Sequence, residues 1–487
     1  MSARAPRALL AALILAGGLF TLANRDLPLV RNSLVYARAS EHVIEHGYNP
    51  LPVVADSRLS YDKPILYAFA SAPCVRALGT HDGLRVTSFL TTALYLCALL
   101  HFARSFRALL PEGGERLVLW FGALGPCVFY QFWSAHPDGW FAALAVLAWS
   151  LARRLVAEPE RDPLSRVLAL GATLFVALLL KNYGLVLLFS CPLYVLWHLR
   201  ALRPAGARLP RLGAGLAAVC AVLGAFVLLA WTGHNPLWRL EGEGGGVGQY
   251  GRGDQWPNAR GLGVGLGLAL LLQLHAALPF AARRAAWTRG LLAPLACFGA
   301  PYVLGLMPFP TTFYNMRYFV PLFALAALPL ARGAAACARG LRRGLLLAHG
   351  LVAGLLILVF NAAPAYRVAE PWIPRLEVNW IGVPLSLLDN LRMRLHLEQA
   401  AVLARIDAEV PPGAALYLLD VNYYRDAQQG VYERAGLLRA DIDTHYVSSR
   451  GFEPPEGEVY LWSPGPPRLS SGRAVTDLGL GLYRCAP

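Results

Sequence analysis

Long apolar stretches recur along the first three quarters of the chain, and they restrict its fold more than any other feature. A helix needs about 20 mostly apolar residues to cross a bilayer, because every backbone polar group in hydrocarbon must be paired within the segment. The sequence contains eleven such stretches, at residues 8–23, 84–103, 117–133, 139–152, 167–180, 184–198, 212–231, 262–282, 291–307, 318–331 and 344–361. We therefore predict an α-helical polytopic membrane protein with about 11 transmembrane helices.

Composition supports this prediction and excludes an ordinary soluble assembly. Hydrophobic residues make up 56% of the 487 positions and charged residues only 15%, with a mean hydropathy of +0.44. Soluble globular domains carry roughly 45–50% apolar and about 25% charged residues. The net charge of +14 does not indicate nucleic-acid binding, because the basic excess lies in the apolar part of the chain.

Arginines alternate between the predicted connections as the positive-inside rule requires. Every second connection is rich in arginine, at residues 4–7, 104–116, 153–166, 200–211, 283–289 and 332–343, whereas the short connections between them hold only Lys181 and Arg317. This pattern predicts a cytoplasmic N-terminus. An odd number of crossings places the residues after Asn361 on the outer side. We interpret the first helix as a retained anchor because no cleavage pattern follows it.

Three regions outside the predicted spans are too long to be simple connections. We expect a first outer loop over 24–83 and a flexible outer loop over 233–260. The stretch 64–79, broken by Pro73 and Arg76, favours a helix lying along the interface. Residues 365–487 have mixed polarity, with predicted strands at 414–421 and 458–462 and an amphipathic helix at 391–409. We therefore predict a transmembrane domain over 1–364 and a small external α/β domain over 365–487.

Asp138 and His136 stand together at the predicted outer end of an apolar stretch. A carboxylate at membrane depth is costly and by default indicates a functional site. The alternative is a helix cap, in which an aspartate accepts backbone N–H bonds. His136 is a second candidate polar contact, although a lone histidine is more often a hydrogen-bonded structural residue.

Three cations are expected on the outer side, where few basic residues occur. Lys63 and Lys181 are the two lysines of the chain, and Arg317 precedes an apolar stretch against the charge bias. Each can bind a phosphate. The alternatives are snorkelling of Lys181 towards lipid headgroups and contact of Arg317 with a headgroup.

No motif for a metal ion or a nucleotide is evident in the sequence. The eight cysteines occur singly, without a C-x-x-C pair, and Asp-rich motifs are absent. The glycine run 242–253 lacks the Lys-Ser or Lys-Thr ending of a nucleotide loop. We predict neither a disulfide framework nor an obligatory tightly bound metal, although a divalent ion is compatible with the chemistry expected below.

The order of several motifs resembles the GT-C superfamily of membrane glycosyltransferases, particularly the lipid A aminoarabinose transferases and the protein O-mannosyltransferases. The stretches that carry the resemblance are Tyr36-Ala-Arg-Ala-Ser-Glu-His-Val-Ile-Glu-His-Gly47, Tyr61-Asp-Lys-Pro-Ile-Leu-Tyr67, Leu78-Gly79 to Arg85, His136-Pro-Asp138, Leu180-Lys-Asn-Tyr-Gly184 and Met316-Arg-Tyr-Phe-Val-Pro-Leu322. They span most of residues 1–363 in order.

The resemblance implies transfer of a sugar from a polyprenyl-phosphate carrier to an acceptor at the outer face, without a nucleotide sugar. The acceptor would be a glycolipid, a glycan or a protein, and the enzyme would lie in a bacterial inner membrane. The residues expected to act are Asp138, Asp26 and Asp62 as catalytic carboxylates, Lys63, Arg317 and Lys181 at the donor phosphate, and His136, Asn32, Tyr61 and Tyr318 at the substrate. No cofactor is expected apart from the lipid-linked donor.

One position departs from the family pattern. The family carries one or two acidic residues about four positions before the tyrosine that matches Tyr36, and this chain has Asn32 and Ser33 there. Three interpretations follow: Asp26 replaces the missing carboxylate, Asp138 replaces it, or the chain has lost transfer activity. Besides a transferase, a transporter or flippase of lipid-linked sugars and a non-catalytic scaffold therefore remain hypotheses.

Overall fold

The computed structural model describes most of the chain. The described residues are 4–30, 32–50, 66–158, 163–181, 183–201, 208–232, 278–286, 288–299, 301–303, 319–373, 377–380, 383–386, 393–419, 438–439, 441–447, 452–463, 466–467, 469 and 473–486.

Helices dominate the described part of the chain. They are α1 (Arg4–Ala23), α2 (Asn32–Glu45), α3 (Leu66–Leu78), α4 (Thr80–Ser105), α5 (Gly114–Ala123), α6 (Pro126–Trp133), α7 (Asp138–Ala157), α8 (Pro163–Leu180), α9 (Gly184–Ala201), α10 (Arg208–Trp231), α11 (Leu278–Ala281), α12 (Arg289–Pro294), α13 (Val320–Ala335), α14 (Arg339–Asn361), α15 (Ala363–Ala369) and α16 (Met393–Glu409). A π-helical turn, Leu295–Gly299, follows α12 directly.

Within the described ranges, seven strands form two sheets. The strands are β1 (Glu377–Trp380), β2 (Val383–Ser386), β3 (Ala415–Leu419), β4 (Asp443–Val447), β5 (Val459–Trp462), β6 (Val475–Gly479) and β7 (Leu482–Cys485). Strands β1 and β2 form an antiparallel hairpin. The other five are ordered β4-β3-β5-β7-β6, with β3 parallel to both neighbours and β7 antiparallel to both of its own.

Several helices are long and apolar enough to cross a membrane. Among the described residues there are five, at Ala5–Ala23, Thr80–Ser105, Asp138–Ala157, Pro163–Leu180 and Arg339–Asn361. Shorter apolar helices are present at Leu66–Leu78, Gly184–His198, Gly213–Leu229, Gly290–Val303 and Val320–Ala335. The chain is thus a helical membrane-type protein, and the number of about 11 crossings stays a prediction.

The long helices turn large apolar side chains outwards. Leu15 and Leu19 on α1, Phe189 on α9, and Leu351 and Leu355 on α14 are all 60% exposed or more. Soluble proteins rarely leave contiguous apolar surface in contact with water. An outward apolar face on helices of this length is what a lipid environment requires.

The stretch 117–133, predicted as one span, is divided into two helices. Helix α5 ends at Ala123 and α6 begins at Pro126, with Gly125 extended between them. Proline has no backbone N–H and fixes its own φ, so it fits the first turn of a new helix and interrupts a continuing one. The prediction of a single helix was wrong for this reason.

The chain divides into two compact units. The first unit comprises Met1–Asn24, Asn49–Tyr67 and Thr87–Leu391, and the second comprises Arg25–Tyr48, Ala68–Val86 and Arg392–Pro487. The domain boundary at residue 364 stays a prediction, as does the external position of the C-terminal segment.

In the first unit, side-chain amides join the ends of α1, α6 and α14. The side chain of Asn361 accepts a hydrogen bond from Trp133 Nε1 at 3.1 Å and donates one to the carbonyl of Pro126 at 3.2 Å. Asn24 Nδ2 donates to the backbone carbonyl of Asn361 at 2.7 Å. Asn24, Trp133 and Asn361 are fully buried, so these bonds satisfy polar groups that water cannot reach.

In the second unit, the C-terminal segment supplies a sheet core and a helix. The helix predicted at 391–409 is observed as α16, and the predicted strands are observed as β3 and β5. Leu419, Val459, Leu461, Tyr483 and Cys485 form the buried core of the sheet. Short continuous apolar runs were therefore sufficient to locate these strands.

Candidate functional site

Asp138 is the first residue of α7 and follows a short buried turn after α6. Residues 131–139 are all buried, and Asp138 itself is 3% exposed. Ala135 in this turn has φ +56°, a left-handed conformation that costs energy for a residue with a Cβ. Strained backbone persists where the surrounding structure fixes it, and it is common at functional sites.

Lys181 lies in the tight turn between α8 and α9 and forms an ion pair with Asp138. Its Nζ donates a hydrogen bond to Asp138 Oδ1, and its side chain is 10% exposed. The Nζ also lies 5.8 Å from the ring centroid of Tyr183. Lys181 therefore does not snorkel to lipid headgroups, because its ammonium group is inside the protein.

The N-cap residue of α7 makes no side-chain capping bond. Pro137 occupies the N-cap position without a capping side-chain hydrogen bond. The Oδ1 atom of Asp138, which follows it, bonds instead to a side chain 43 residues further along the chain. The ion pair, not a helix cap, is the contact that the structure shows for Oδ1.

Two glycines allow the backbone to bring this pair together. A Cβ added at Gly139 would lie 2.5 Å from Thr92 Oγ1, and one added at Gly184 would lie 2.7 Å from the backbone of Ala177. Any larger residue would push α7 away from α4, or α9 away from the last turn of α8. Glycine is the residue type that permits such close approach of backbone.

Aromatic rings line the region next to the ion pair. Tyr302 stacks on Phe298 with ring centroids 4.8 Å apart, and it also lies 5.6 Å from Tyr183 and 6.4 Å from Phe141. Phe141 is one turn beyond Asp138 on α7. Rings exclude water and lower the local dielectric, which strengthens electrostatic interactions of the nearby charges.

His136 lies in the same turn as Asp138, and it contacts Ala135 and Tyr130. It is 1% exposed, its Nδ1 is 3.1 Å from the carbonyl oxygen of Ala135, and its ring packs edge-on against Tyr130 with centroids 6.3 Å apart. The structure thus brings three predicted residues into one region of the first unit: Asp138, Lys181 and His136.

Asp26 and Asn32 lie in the second unit, on either side of a buried loop. Asp26 is exposed in the turn after α1, and Asn32 is the first residue of α2. Their relation to the Asp138–Lys181 pair stays a prediction, since they belong to a different compact unit.

The loop between α1 and α2 is held through its carbonyl oxygens. The carbonyl of Leu27 accepts hydrogen bonds from Arg85 Nη2 and, at 2.9 Å, from His81 Nε2. The carbonyl of Pro28 bonds to His396 Nδ1 at 2.7 Å. Arg85 is 2% exposed. These contacts fix the loop that carries Asp26, so a displacement of this loop would have to break them.

Five predicted residues fall outside the described residues: Tyr61, Asp62, Lys63, Arg317 and Tyr318. Their roles stay predictions.

Sequence reasoning missed the aromatic residues and the contact that joins the charged pair. Tyr302 lies in an apolar stretch that gave no polar signal. The available signal was the OH group of Tyr302 within a predicted span, because a buried tyrosine usually needs a hydrogen-bond partner and so indicates polar groups nearby.

Comparison with known proteins supports the membrane fold. A family model described as a predicted membrane protein, DUF2142, matches residues 52–250. No curated protein shows significant sequence similarity to the chain.

Two solved structures of ArnT from Cupriavidus metallidurans share the fold. The crystal structure bound to undecaprenyl phosphate matches with a TM-score of 0.51 and 14% identity, covering 99% of this chain and 98% of that chain. The apo crystal structure matches with a TM-score of 0.56 and 13% identity, covering 100% and 98%. The predicted resemblance to the lipid A aminoarabinose transferases is thereby confirmed at the level of the fold.

Proposed function

We propose that the chain is a membrane glycosyltransferase that transfers a sugar from a polyprenyl-phosphate donor to an acceptor at the outer face of a bacterial inner membrane. The likeness to ArnT extends over nearly the whole of both chains. One of those ArnT structures is bound to undecaprenyl phosphate, which supports a lipid phosphate as the carrier here. The acceptor would be an envelope glycan, a glycolipid or a protein.

The buried pair of Asp138 and Lys181 is the observation that carries this proposal. Two charges removed from water are costly, and a protein retains them in a membrane region mainly where they act on a substrate or an ion. The pair lies at one end of two span-length helices, α7 and α8. Such a position suits a reaction in which the lipid tail stays in the bilayer and the sugar phosphate reaches the surface.

In the proposed reaction, the bond between the anomeric carbon and the phosphate oxygen breaks while the acceptor oxygen bonds to that carbon. Asp138 takes the proton of the acceptor hydroxyl, and Lys181 orients its carboxylate. Lys63 and Arg317 stabilise the charge on the departing phosphate.

The remaining predicted residues have supporting roles in this proposal. Asp62 and His136 orient the substrates, Tyr61, Tyr318 and Asn32 contact them, and Asp26 is an alternative base. The proposed topology has a cytoplasmic N-terminus and places residues 365–487 in the periplasm or outside the cell.

Transfer of label from a polyprenyl-phosphate sugar to envelope acceptors in isolated membranes tests the proposal. We expect Asp138→Asn to lower the rate by about 100-fold or more, because general-base catalysis contributes on the order of 10²–10⁴. Lys63→Ala should lower it as well. Glu158→Gln is the matched control: Glu158 follows the other end of α7 and pairs with Arg166 at 2.7 Å.

The same assay separates the other two hypotheses. A flippase would move the labelled lipid across vesicle membranes without forming a glycosylated product. If the chain is a scaffold that has lost its base at position 32, the wild-type protein would form no product, and Asn32→Asp would restore transfer. Full activity of Asp138→Asn would contradict the proposed base.

A further inference from the structure

Three metal-binding side chains lie close together at the C-terminal end of α2. His42, Glu45 and His46 occupy positions i, i+3 and i+4, which lie within one turn of each other on a helix. Their ligand atoms all lie within 4.8 Å of one another. The two imidazole rings are packed with centroids 4.0 Å apart, at an interplanar angle of 47°.

A hydrogen bond at the cluster leaves one ring nitrogen of His46 available to bind a metal ion. His46 Nδ1 is 3.0 Å from the carbonyl oxygen of His42. An N–H at Nδ1 donating to that carbonyl leaves the lone pair on Nε2, which is how a protein commonly fixes the tautomer of a ligating histidine.

Arg38 orients the carboxylate without covering both of its oxygens. Its Nη1 is 2.7 Å from Glu45 Oε1, while Glu45 Oε2 is 3.4 Å from His42 Nδ1. One carboxylate oxygen is thus directed towards the histidines, and the other is held by a guanidinium. Hydrogen-bonded carboxylates of this type are frequent partners of metal sites.

The position on the helix also favours a cation. His42 and Glu45 lie in the last turn of α2, and His46 follows it directly, before left-handed Gly47 and Tyr48 at φ +60° and +66°. The C-terminal end of a helix carries a partial negative charge and stabilises positive charge nearby. Glu45 and His46 are exposed, so a water molecule has access to complete the coordination.

We propose that His42, Glu45 and His46 bind one divalent transition-metal ion of the zinc type. Two imidazoles and one carboxylate suit zinc and its neighbours, whereas magnesium and calcium prefer all-oxygen sites. A water molecule supplies the fourth ligand. This site is independent of the proposed transfer reaction. The bound ion would link side chains at the C-terminal end of α2.

Zinc binding by the full-length, detergent-purified protein tests the proposal. After treatment with a chelator, the wild type should bind one Zn²⁺ at this site in a competition titration with a chromophoric chelator. Cobalt should bind in its place and give the visible absorption of a four-coordinate ion. His42→Ala and Glu45→Gln should each weaken Zn²⁺ binding by about tenfold or more, since loss even of an outer partner costs 10–100-fold.

Two further variants make the test specific. His445 lies 2.9 Å from Asp443, but among the described residues these two belong to no group of three metal-binding side chains. His445→Ala should therefore leave Zn²⁺ binding unchanged. Arg38→Ala frees Glu45 Oε1 and should retain Zn²⁺ binding. The proposal is overturned if the wild type and His42→Ala bind Zn²⁺ equally, or if His445→Ala removes the same binding event. It is also overturned if monodisperse wild type binds no Zn²⁺.

Discussion

The ammonium group of Lys181 reaches across from the turn between α8 and α9 to the carboxylate of Asp138 at the start of α7, and both side chains are withdrawn from solvent. Each charge compensates the other in this buried region. The energetic consequence can be measured separately from any catalytic role.

Removing one member of the pair should destabilise the protein more than removing both. Asp138→Leu removes the carboxylate that pairs with the buried ammonium group of Lys181, and loss of one partner costs about 3–5 kcal/mol in comparable pairs. Lys181→Met removes the ammonium group from the buried carboxylate and should cost a similar amount. The combined variant Asp138→Leu with Lys181→Met should unfold nearer to wild type.

Thermal unfolding in detergent, with the four proteins compared as a double-mutant cycle, measures this coupling. Glu158→Gln serves as control because its ion pair with Arg166 is partly exposed, with 49% of the Glu158 side chain accessible. Strictly additive effects of the two substitutions would show that the charges do not stabilise each other.

Sequence reasoning located the two members of this pair but not their contact. The apolar stretches 139–152 and 167–180 located α7 and α8 to within about five residues at each end, and the rarity of charge in such stretches singled out Asp138 and Lys181. The contact joins residues 43 positions apart and depends on which helices are neighbours. A periodic pattern identifies a helix face, but it does not identify the helix that packs on that face.

The cluster of His42, Glu45 and His46 was not identified from the sequence, for a different reason. The spacing His42-Val-Ile-Glu-His46 was visible in the sequence, but the prediction of no obligatory tightly bound metal considered only cysteine, Cys/His and Asp-rich motifs. The hydrogen bond of His46 and the orientation of Glu45 towards His42 are conformational facts that the spacing alone does not contain.

Gly139 and Gly184 should be intolerant of alanine. The added Cβ would lie within 3 Å of Thr92 or of the Ala177 backbone, so α7 or α9 would have to move. Overpacking of this kind costs typically 1–3 kcal/mol. It would also displace Asp138 or Lys181, and we expect transfer activity to fall together with stability.

Gly354 on α14 is the matched control for this prediction. No atom lies within 4 Å of a Cβ built there, and alanine in a helix interior is favoured over glycine by about 0.5–1 kcal/mol. Gly354→Ala should therefore unfold at the same temperature as wild type or higher. Equal tolerance of alanine at all three positions would show that close packing does not determine the geometry of the pair.

Arg439 and Asp441 in the second unit should make stability depend on acid pH. Two hydrogen bonds, at 2.9 Å and 3.0 Å, join the guanidinium to both carboxylate oxygens, and they lower the pKa of Asp441 below its ordinary value. Because the folded-state pKa is the lower one, the stabilisation is present above the unfolded pKa of about 3.9. It is lost as the pH falls through the folded-state value.

The expected effect is a small one, because the pair is exposed to solvent and salt screens it. Arg439→Gln should lower the unfolding temperature at pH 7, and the gap to wild type should close as the pH approaches 3. Asp441→Asn should show the same closure. A gap that stays constant down to pH 3 would assign the effect of Arg439 to its bonds with the carbonyls of Asp407 and Val410.

Asn361 should be among the least replaceable polar residues of the first unit. Its side chain bonds to Trp133 Nε1 and to the carbonyl of Pro126, and its backbone carbonyl accepts from Asn24. Asn361→Leu keeps the volume but leaves two buried polar groups without these bonds. A single hydrogen bond contributes about 0.5–1.5 kcal/mol net, so we expect a loss of roughly 1–3 kcal/mol for the two bonds.

Asn24→Ala distinguishes the side-chain bonds of Asn361 from general disturbance. This change removes one donor while Trp133 and Pro126 keep theirs, so its cost should be about half or less of that of Asn361→Leu. Hydrogen exchange at the indole of Trp133 gives a second measurement, since the indole N–H should exchange faster in Asn361→Leu and at the wild-type rate in Asn24→Ala. Equal exchange in both variants would show that the bond to Asn361 does not protect the indole N–H of Trp133.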